Sequence, residues 1–203
     1  MRDVRDAQSP EGGFTNTSPR TGAGWDGPGT PGWADAGIIV PWTAWLQYGD
    51  TGIIAESWDA MERHMAYVLD GNLNYLWKNR VAQNLGDWLP VNSSTPQVLA
   101  ATAYWSYSAS RMSQMARAIG RETDAARYAA LFENIRTAFR KEYVKENGVV
   151  GSGSQTSYAL AFHADLIPDG LKKAAAANLV KDIESRGGHL STGFLGTLRC
   201  CPH

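Results

Sequence analysis

Cysteine is nearly missing from these 203 residues: Cys200 and Cys201 stand side by side near the C-terminal end. Joining them to each other would need a strained ring, and no other thiol is available, so the fold does not rest on disulfides. A bias of charge is missing too. Nineteen basic against twenty acidic residues leave a net charge of -1, with no run of five like charges, which removes the polybasic track that nucleic acid or an anionic membrane surface would need. No stretch of eighteen apolar residues occurs, and the opening "MRDVRDAQSPEGG" has no apolar segment, so neither a membrane-spanning helix nor a signal peptide is expected and the compartment stays open. His64, His163, His189 and His203 lack metal-ligand spacing with Cys, Asp or Glu, and no G-x-S-x-G, Walker or Rossmann pattern is present. "GVVGSG" has the glycines but no lysine and no strand-to-helix context. No metal and no cofactor is expected.

Alternation of the β type is nearly absent, whereas helical periodicity runs through most of the chain. An apolar helix starts at Ala34, contains Pro41 and ends at Gly49; Asp50 or Thr51 then caps a longer one with Ile54, Trp58, Met61, Met65 and Val68 on one face. "LNYLWKNR" is expected to continue or restart it. Thr95 as cap and Pro96 as first residue open a helix in which Val98, Trp105, Met112 and Ile119 recur every seven, with Ala101, Ala109 and Ala116 between them. Gly120 stops it, and Ala125, Tyr128, Phe132, Ile135 and Phe139 make the apolar face of the next. A glycine-rich turn around "VKENGVVGSGSQ" precedes a further helix pair. The chain is therefore all-α, built from antiparallel helix pairs, and no fixed-period repeat points to a solenoid.

Against that regularity stand two long loops, "SPEGGFTNTSPRTGAGWDGPGTPG" and "VAQNLGDWLPVNSS". Loops of more than about a dozen residues within a compact domain are more often functional than idle. Both carry tryptophan within two residues of aspartate: Trp25 with Asp26, Trp33 with Asp35, and Trp88 with Asp87. Eight Trp and eight Tyr against five Phe give the same bias, toward rings with an apolar face and a polar handle. A sugar presents an apolar C–H face and a rim of hydroxyls, which one ring and a neighbouring carboxylate can grip together. In the other reading Trp33 and Trp88 staple the loops to the helices while Asp35 and Asp87 hold turn or helix amides. Paired carboxylates also serve as acid and base in glycoside hydrolysis, so Asp35 and Asp87 bear a third reading as well.

Five ordered phrases then add to the residues: "DVRDAQSPEGGF"; "PGWADAGIIVPW" followed by "YGD"; "GDWL" followed by "TP"; "AFRKEYV" followed by "SQTSYALAF"; and "HLSTGFLGT". In this order the chain resembles the catalytic module of the α-L-rhamnosidases of glycoside hydrolase family 78, over residues 1–197, with 198–203 as a tail that departs from the family pattern. The resemblance implies about half of an (α/α)6 toroid of antiparallel helix pairs. It further implies a parent enzyme that removes terminal α-L-rhamnose from a rhamnosylated glycoside or oligosaccharide, with inversion, by two glutamates. Trp33 and Trp88 match positions where the family places aromatic walls around the sugar, with Asp35 and Asp87 as hydroxyl acceptors beside them, and Trp25 matches no family role. The motifs that hold the general acid and the general base are not found among these residues, so no catalytic residue is assigned and the chain alone is expected to be inactive. Half a toroid leaves helix faces bare, and self-association is expected. The alternatives are another six-hairpin glycosidase or lyase, and a non-catalytic helical interaction module.

Overall fold

A computed structural model describes residues 1–22, Gly24 and 26–200, the side chains of 198 and 200 excepted; Trp25, Cys201 and His203 lie outside the described residues. A short α1 (Arg2–Asp6) is followed by α2 (Ala36–Tyr48), α3 (Gly52–Gly71), α4 (Gln97–Ala118), α5 (Glu122–Tyr143), α6 (Gln155–His163), α7 (Asp169–Ser185) and α8 (Phe194–Cys200). The described residues contain no strand, only isolated bridges, of which Val144 to Val150 closes the small turn expected there.

Packing sorts the helices into two layers. α2 lies on α3 and α4, α4 on α5 and α6, and α6 on α7 and α8. The even-numbered helices therefore form one row of successive first halves of hairpins, backed by α3, α5 and α7. Turns within a hairpin are tight, at 49–51, 119–121 and 164–168, whereas the segments that lead into the inner row, 7–35, 72–96, 144–154 and 186–193, are long. Inner helices that run the same way bring all four long segments to the face where their N-termini lie. This is a consecutive portion of an (α/α)6 toroid, as the order of hairpins implies.

Several boundaries have a local cause. Gly49 ends α2 in the left-handed region, at φ 68°, and donates its N–H to the Trp45 carbonyl, a conformation that costs glycine nothing. Asp50 Oδ1 accepts from the Gly52 N–H at 2.8 Å, starting α3. Ser154 Oγ accepts from Ser157 N–H at 3.1 Å, starting α6. Three expectations are corrected. "LNYLWKNR" is not helical, because the buried Asn72 turns the chain: its carbonyl oxygen accepts from the amides of Lys78 and Asn79 while its amide donates to the Val68 carbonyl. Thr95 does not cap α4; its hydroxyl bonds Ser154 Oγ at 2.7 Å, tying the start of α4 to the start of α6. Phe132 is only partly buried, and Leu131 fills the place on the core side.

The core is continuous through α4, in which every residue from Leu99 to Ala109 is buried. On one side Trp58, Met61, Trp105, Met112, Tyr128 and Ile135 pack with Trp42 and Trp77; on the other Tyr104, Phe139, Tyr158, Leu160 and Leu195 do so. Trp42, Trp58, Trp77 and Trp105 are thus structural rings. Trp33 and Trp88 are less buried.

Candidate functional site

The loop 83–96 reaches the inner row through one buried carboxylate. Asp87 Oδ2 accepts from the Gly193 amide at 2.7 Å and from the Thr156 hydroxyl, and Oδ1 accepts from the amides of Leu195 at 2.9 Å and Gly196 at 3.0 Å. A carboxylate offers about four lone-pair positions, and all four are occupied by protein donors. The remaining amide of this turn, Phe194 N–H, donates to the Trp88 carbonyl at 2.9 Å. Four consecutive amides, 193 to 196, therefore end on residues 87 and 88. The fit leaves no room: a Cβ on Gly193 would lie 2.3 Å from the Trp88 carbonyl oxygen.

This clamp sets two aromatic rings at the surface. Trp88 is 44% exposed and Phe194 55% exposed, and they stack with centroids 5.5 Å apart and planes 29° apart. Trp88 lines a depression of about 400 Å³ together with Leu85, Pro90, Ser93 and Gln97. Phe194 lines a second, of about 410 Å³, with Thr192, Gly193 and Thr197; Leu89 borders both. Volumes of about 300–1,000 Å³ are those of small-molecule sites.

The first loop comes to the same helix end. A Cβ on Gly32 would lie 2.6 Å from Leu195 Cδ2, and Trp33 is half-buried against the core that includes Leu195 and Tyr104. Asp35, at the first boundary of α2, does not cap that helix with its side chain. Its oxygens accept from Gly32 N–H at 2.8 Å and Ser108 Oγ at 2.9 Å, joining the loop to the middle of α4. Burial pushes its carboxyl up to about 6, against the pull of these two hydrogen bonds. Asp26 serves the loop itself: Thr17 and the Gly22 amide bond it and hold its carboxyl below the usual range.

Trp88 thus stacks at the first turn of α8, Trp33 packs half-buried on the core cluster that includes Leu195 of that helix, and Asp35 and Asp87 have partners within the protein. Thr156, Gln155 and Phe194 are not among the residues that the sequence alone singles out. Gln155 is fully buried; its amide donates to Asp182 Oδ2 at 2.9 Å and its carbonyl accepts from Ser191 N–H at 2.9 Å, which secures segment 186–193. The signal was there in "SQTSYALAF", a run of polar side chains in the first turn of an otherwise apolar helix.

His64 is buried against Phe14 and Trp77, and its Nδ1 accepts from Phe14 N–H at 3.1 Å; burial lowers its pKa to about 3, so it is a neutral core residue. Among the described residues no three His, Cys, Asp or Glu side chains are grouped to hold a metal, and no helix is long and apolar enough to cross a membrane. Glu56, Glu62, Glu122, Glu133, Glu142 and Glu184 ride on α3, α5 and α7, in the outer layer, whereas Glu11 and Glu146 are exposed in segments 7–35 and 144–154.

Comparison with known proteins agrees with this architecture. The family model described as the bacterial α-L-rhamnosidase six-hairpin glycosidase domain matches residues 1–202. An α-L-rhamnosidase of Streptomyces avermitilis is 42% identical over 200 residues, which are 98% of this chain and 19% of that protein. One from Formosa agariphila is 31% identical over 205 residues, 97% of this chain and 22% of that protein. The crystal structure of a Streptomyces avermitilis α-L-rhamnosidase complexed with L-rhamnose superposes with a TM-score of 0.91 at 41% identity, again over 98% of this chain and 19% of that one. The α-L-rhamnosidase from Dictyoglumus thermophilum gives 0.87 at 27% identity, over 98% of this chain and 23% of that chain. The chain spans about a fifth of the length of these relatives, and with its helix order, its long-loop face and its match from end to end, it belongs to the six-hairpin glycosidase domain family of the bacterial α-L-rhamnosidases.

Proposed function

We propose that the chain is a portion of the catalytic domain of an inverting α-L-rhamnosidase, an enzyme that hydrolyses terminal non-reducing α-L-rhamnose from glycosides or oligosaccharides. The observation that carries this is the 42% identity to a protein of that name along 98% of the chain, joined to a fold that superposes on a rhamnosidase holding L-rhamnose. In this reading the long-loop face is the substrate side. Trp88 and Trp33 are the aromatic walls: Trp88 is exposed beside a depression of suitable size, and Trp33 packs on the core cluster that includes Leu195 of α8. Asp87 and Asp35 act behind them, fixing the backbone from which each tryptophan projects, rather than offering free oxygens to sugar hydroxyls.

Hydrolysis needs an acid for the leaving oxygen and a base for the attacking water. Asp35 and Asp87 are committed to internal donors, six glutamates ride on the outer layer, and Glu11 and Glu146, exposed in the long segments, line neither depression, which supports the view that these residues alone form a sugar-binding half without a catalytic pair. General acid–base help is worth about 10²–10⁴-fold, so no turnover of an aryl α-L-rhamnoside by the isolated chain is expected. The test is a calorimetric titration with L-rhamnose, with glucose as control, after circular dichroism has shown the helical fold. Saturable binding of rhamnose and not glucose, abolished in Trp88→Ala or Trp33→Ala, is the expected result. Equal binding of glucose, or rhamnose binding indifferent to both substitutions, would refute the assignment.

A further inference from the structure

The Arg111 side chain is clamped between rings. Its guanidinium carbon lies 4.7 Å from the centroid of the Trp42 ring on α2 and 4.3 Å from that of Tyr107, one turn earlier on α4. Tyr107 in turn stacks on His163 at the end of α6, with centroids 4.5 Å apart, so planar groups from three inner helices form one ladder. Arg121, Arg127 and Arg136 each face a carboxylate. Among the described residues no carboxylate pairs with Arg111, and its buried Nε has no acceptor. Arg199 brings a second guanidinium to 5.7 Å from the centroid of the Tyr107 ring, again with a buried Nε that lacks an acceptor. Contact with ring faces offsets part of what a guanidinium loses on leaving water, but it leaves the N–H edge without a counter-charge.

Arg111 borders a cavity of about 200 Å³, with Tyr107, Phe132 and Ala164 as its apolar walls. Asp165 lies on the rim and is itself neutralised, by Arg136 at 3.4 Å and Lys172 at 3.0 Å. A space of about 150 Å³ already holds a benzene ring. Arg111 stands two-thirds of the way along α4, about 20 Å from the N-terminus of that helix at 1.5 Å per residue, so the cavity is remote from the long-loop face. We propose that it is a separate binding site for a small carboxylic acid with one planar ring: the carboxylate takes the N–H fork of Arg111, and the ring lies against Tyr107 and Phe132. A carboxylate matches a guanidinium in plane and spacing, and a guanidinium already fixed between rings loses little freedom on meeting it. The site does not depend on the rhamnose reading.

The experiment is a calorimetric titration of the 203-residue chain with benzoate at constant ionic strength. Benzyl alcohol, which keeps the ring without the charge, and acetate, which keeps the charge without the ring, are run beside it. Benzoate is expected to bind with a Kd on the order of 1 mM, a modest affinity for so small a ligand. Benzyl alcohol and acetate should each bind at least about tenfold more weakly, for want of the charge-assisted bond or of the buried ring. Arg111→Gln should abolish benzoate binding, and Arg111→Lys, which keeps the charge and gives up the fork, should weaken it about tenfold. Arg117→Gln, exposed on the same helix, should leave it unchanged. Benzyl alcohol as tight as benzoate, or full benzoate affinity in the folded Arg111→Lys variant, overturns the site; the ligand comparison in the unaltered chain decides the matter if neither Arg111 variant folds. Acetate as tight as benzoate overturns the small aromatic acid and assigns the fork to an acidic side chain of a neighbouring protein segment. Absence of saturable benzoate binding overturns the site outright, and none of these outcomes bears on the rhamnose titration.

Discussion

A short buried carboxylate can serve a ligand or the fold, and the number of protein donors around it decides which. Asp87 has four, two on each oxygen. Asp87→Ala strips three amides and a hydroxyl of their acceptor in a place that water reaches poorly, a loss expected to cost about 3 kcal/mol in a urea titration. Asn is no remedy here, since whichever way it turns, its NH2 faces two donors; a loss close to that of alanine is expected, and near-normal stability of Asp87→Asn would contradict the clamp. Asp35 behaves differently, for its carboxyl sits at about 6 when folded against 3.8 in the unfolded chain. Between pH 4 and 6 the folded state therefore holds the extra proton, so stability falls as pH rises through that window, by up to about 3 kcal/mol. Asp35→Asn, which cannot ionise, should lose this slope and exceed the parent chain in stability at pH 7, as read from denaturant curves across pH. The pairing of Trp with Asp was visible in the sequence; the direction in which each Asp points was not, because its donors lie as far as 109 residues away.

Helices were legible where one face is buried and the other wet. The stripes of α3 and most of α5 follow the periodicity of their apolar residues. α4 shows the limit of that signal. Its seven-residue repeat marks one stripe, yet the helix is enclosed by α2, α5 and α6, and the alanines and serines between the large residues are contact positions rather than a solvated face. Replacing Ala109, which is fully buried, with leucine should overfill this junction and cost about 1–3 kcal/mol, whereas the same change at the exposed Ala55 on α3 should leave the denaturation midpoint nearly unchanged. The segment "LNYLWKNR" misleads for the opposite reason. Its apolar residues have helical spacing, but Asn72 captures the amides of Lys78 and Asn79, and Tyr75 and Arg80 take φ of 60° and 56°. A side chain that bonds its own backbone neighbours competes with the helix, and only tertiary packing decides the contest. α8 escaped notice because its start is set by Asp87, far away in sequence.

For the molecule as a whole, the open ends of the inner row matter most. Among the described residues, the extensive inner-row contacts of α2 are with α4 and those of α8 with α6, so a closed ring would need further hairpins against both. Several apolar residues left in water lie on those helices or beside them, Val40, Leu46 and Tyr48 on α2, with Tyr48 at 85% exposure, and Leu89, Val91 and Phe194 around α8, while Leu73 and Val180 lie elsewhere. Contiguous apolar surface of more than a few hundred Å² rarely stays wet in a monomer, and a face that lacks its neighbour pairs with whatever offers a match. The isolated chain is accordingly expected to self-associate in a concentration-dependent way at micromolar levels, as seen by sedimentation velocity. Leu46→Lys with Tyr48→Glu should shift it toward monomer without altering the circular dichroism, because both side chains are already exposed and bury no core area. The same double substitution should leave rhamnose binding unchanged, since α2's far end lies away from the long-loop face that carries Trp88. A chain that stays monomeric at high concentration, with or without these changes, would show that the bare helix faces are too polar or too divided to act as edges of an incomplete ring.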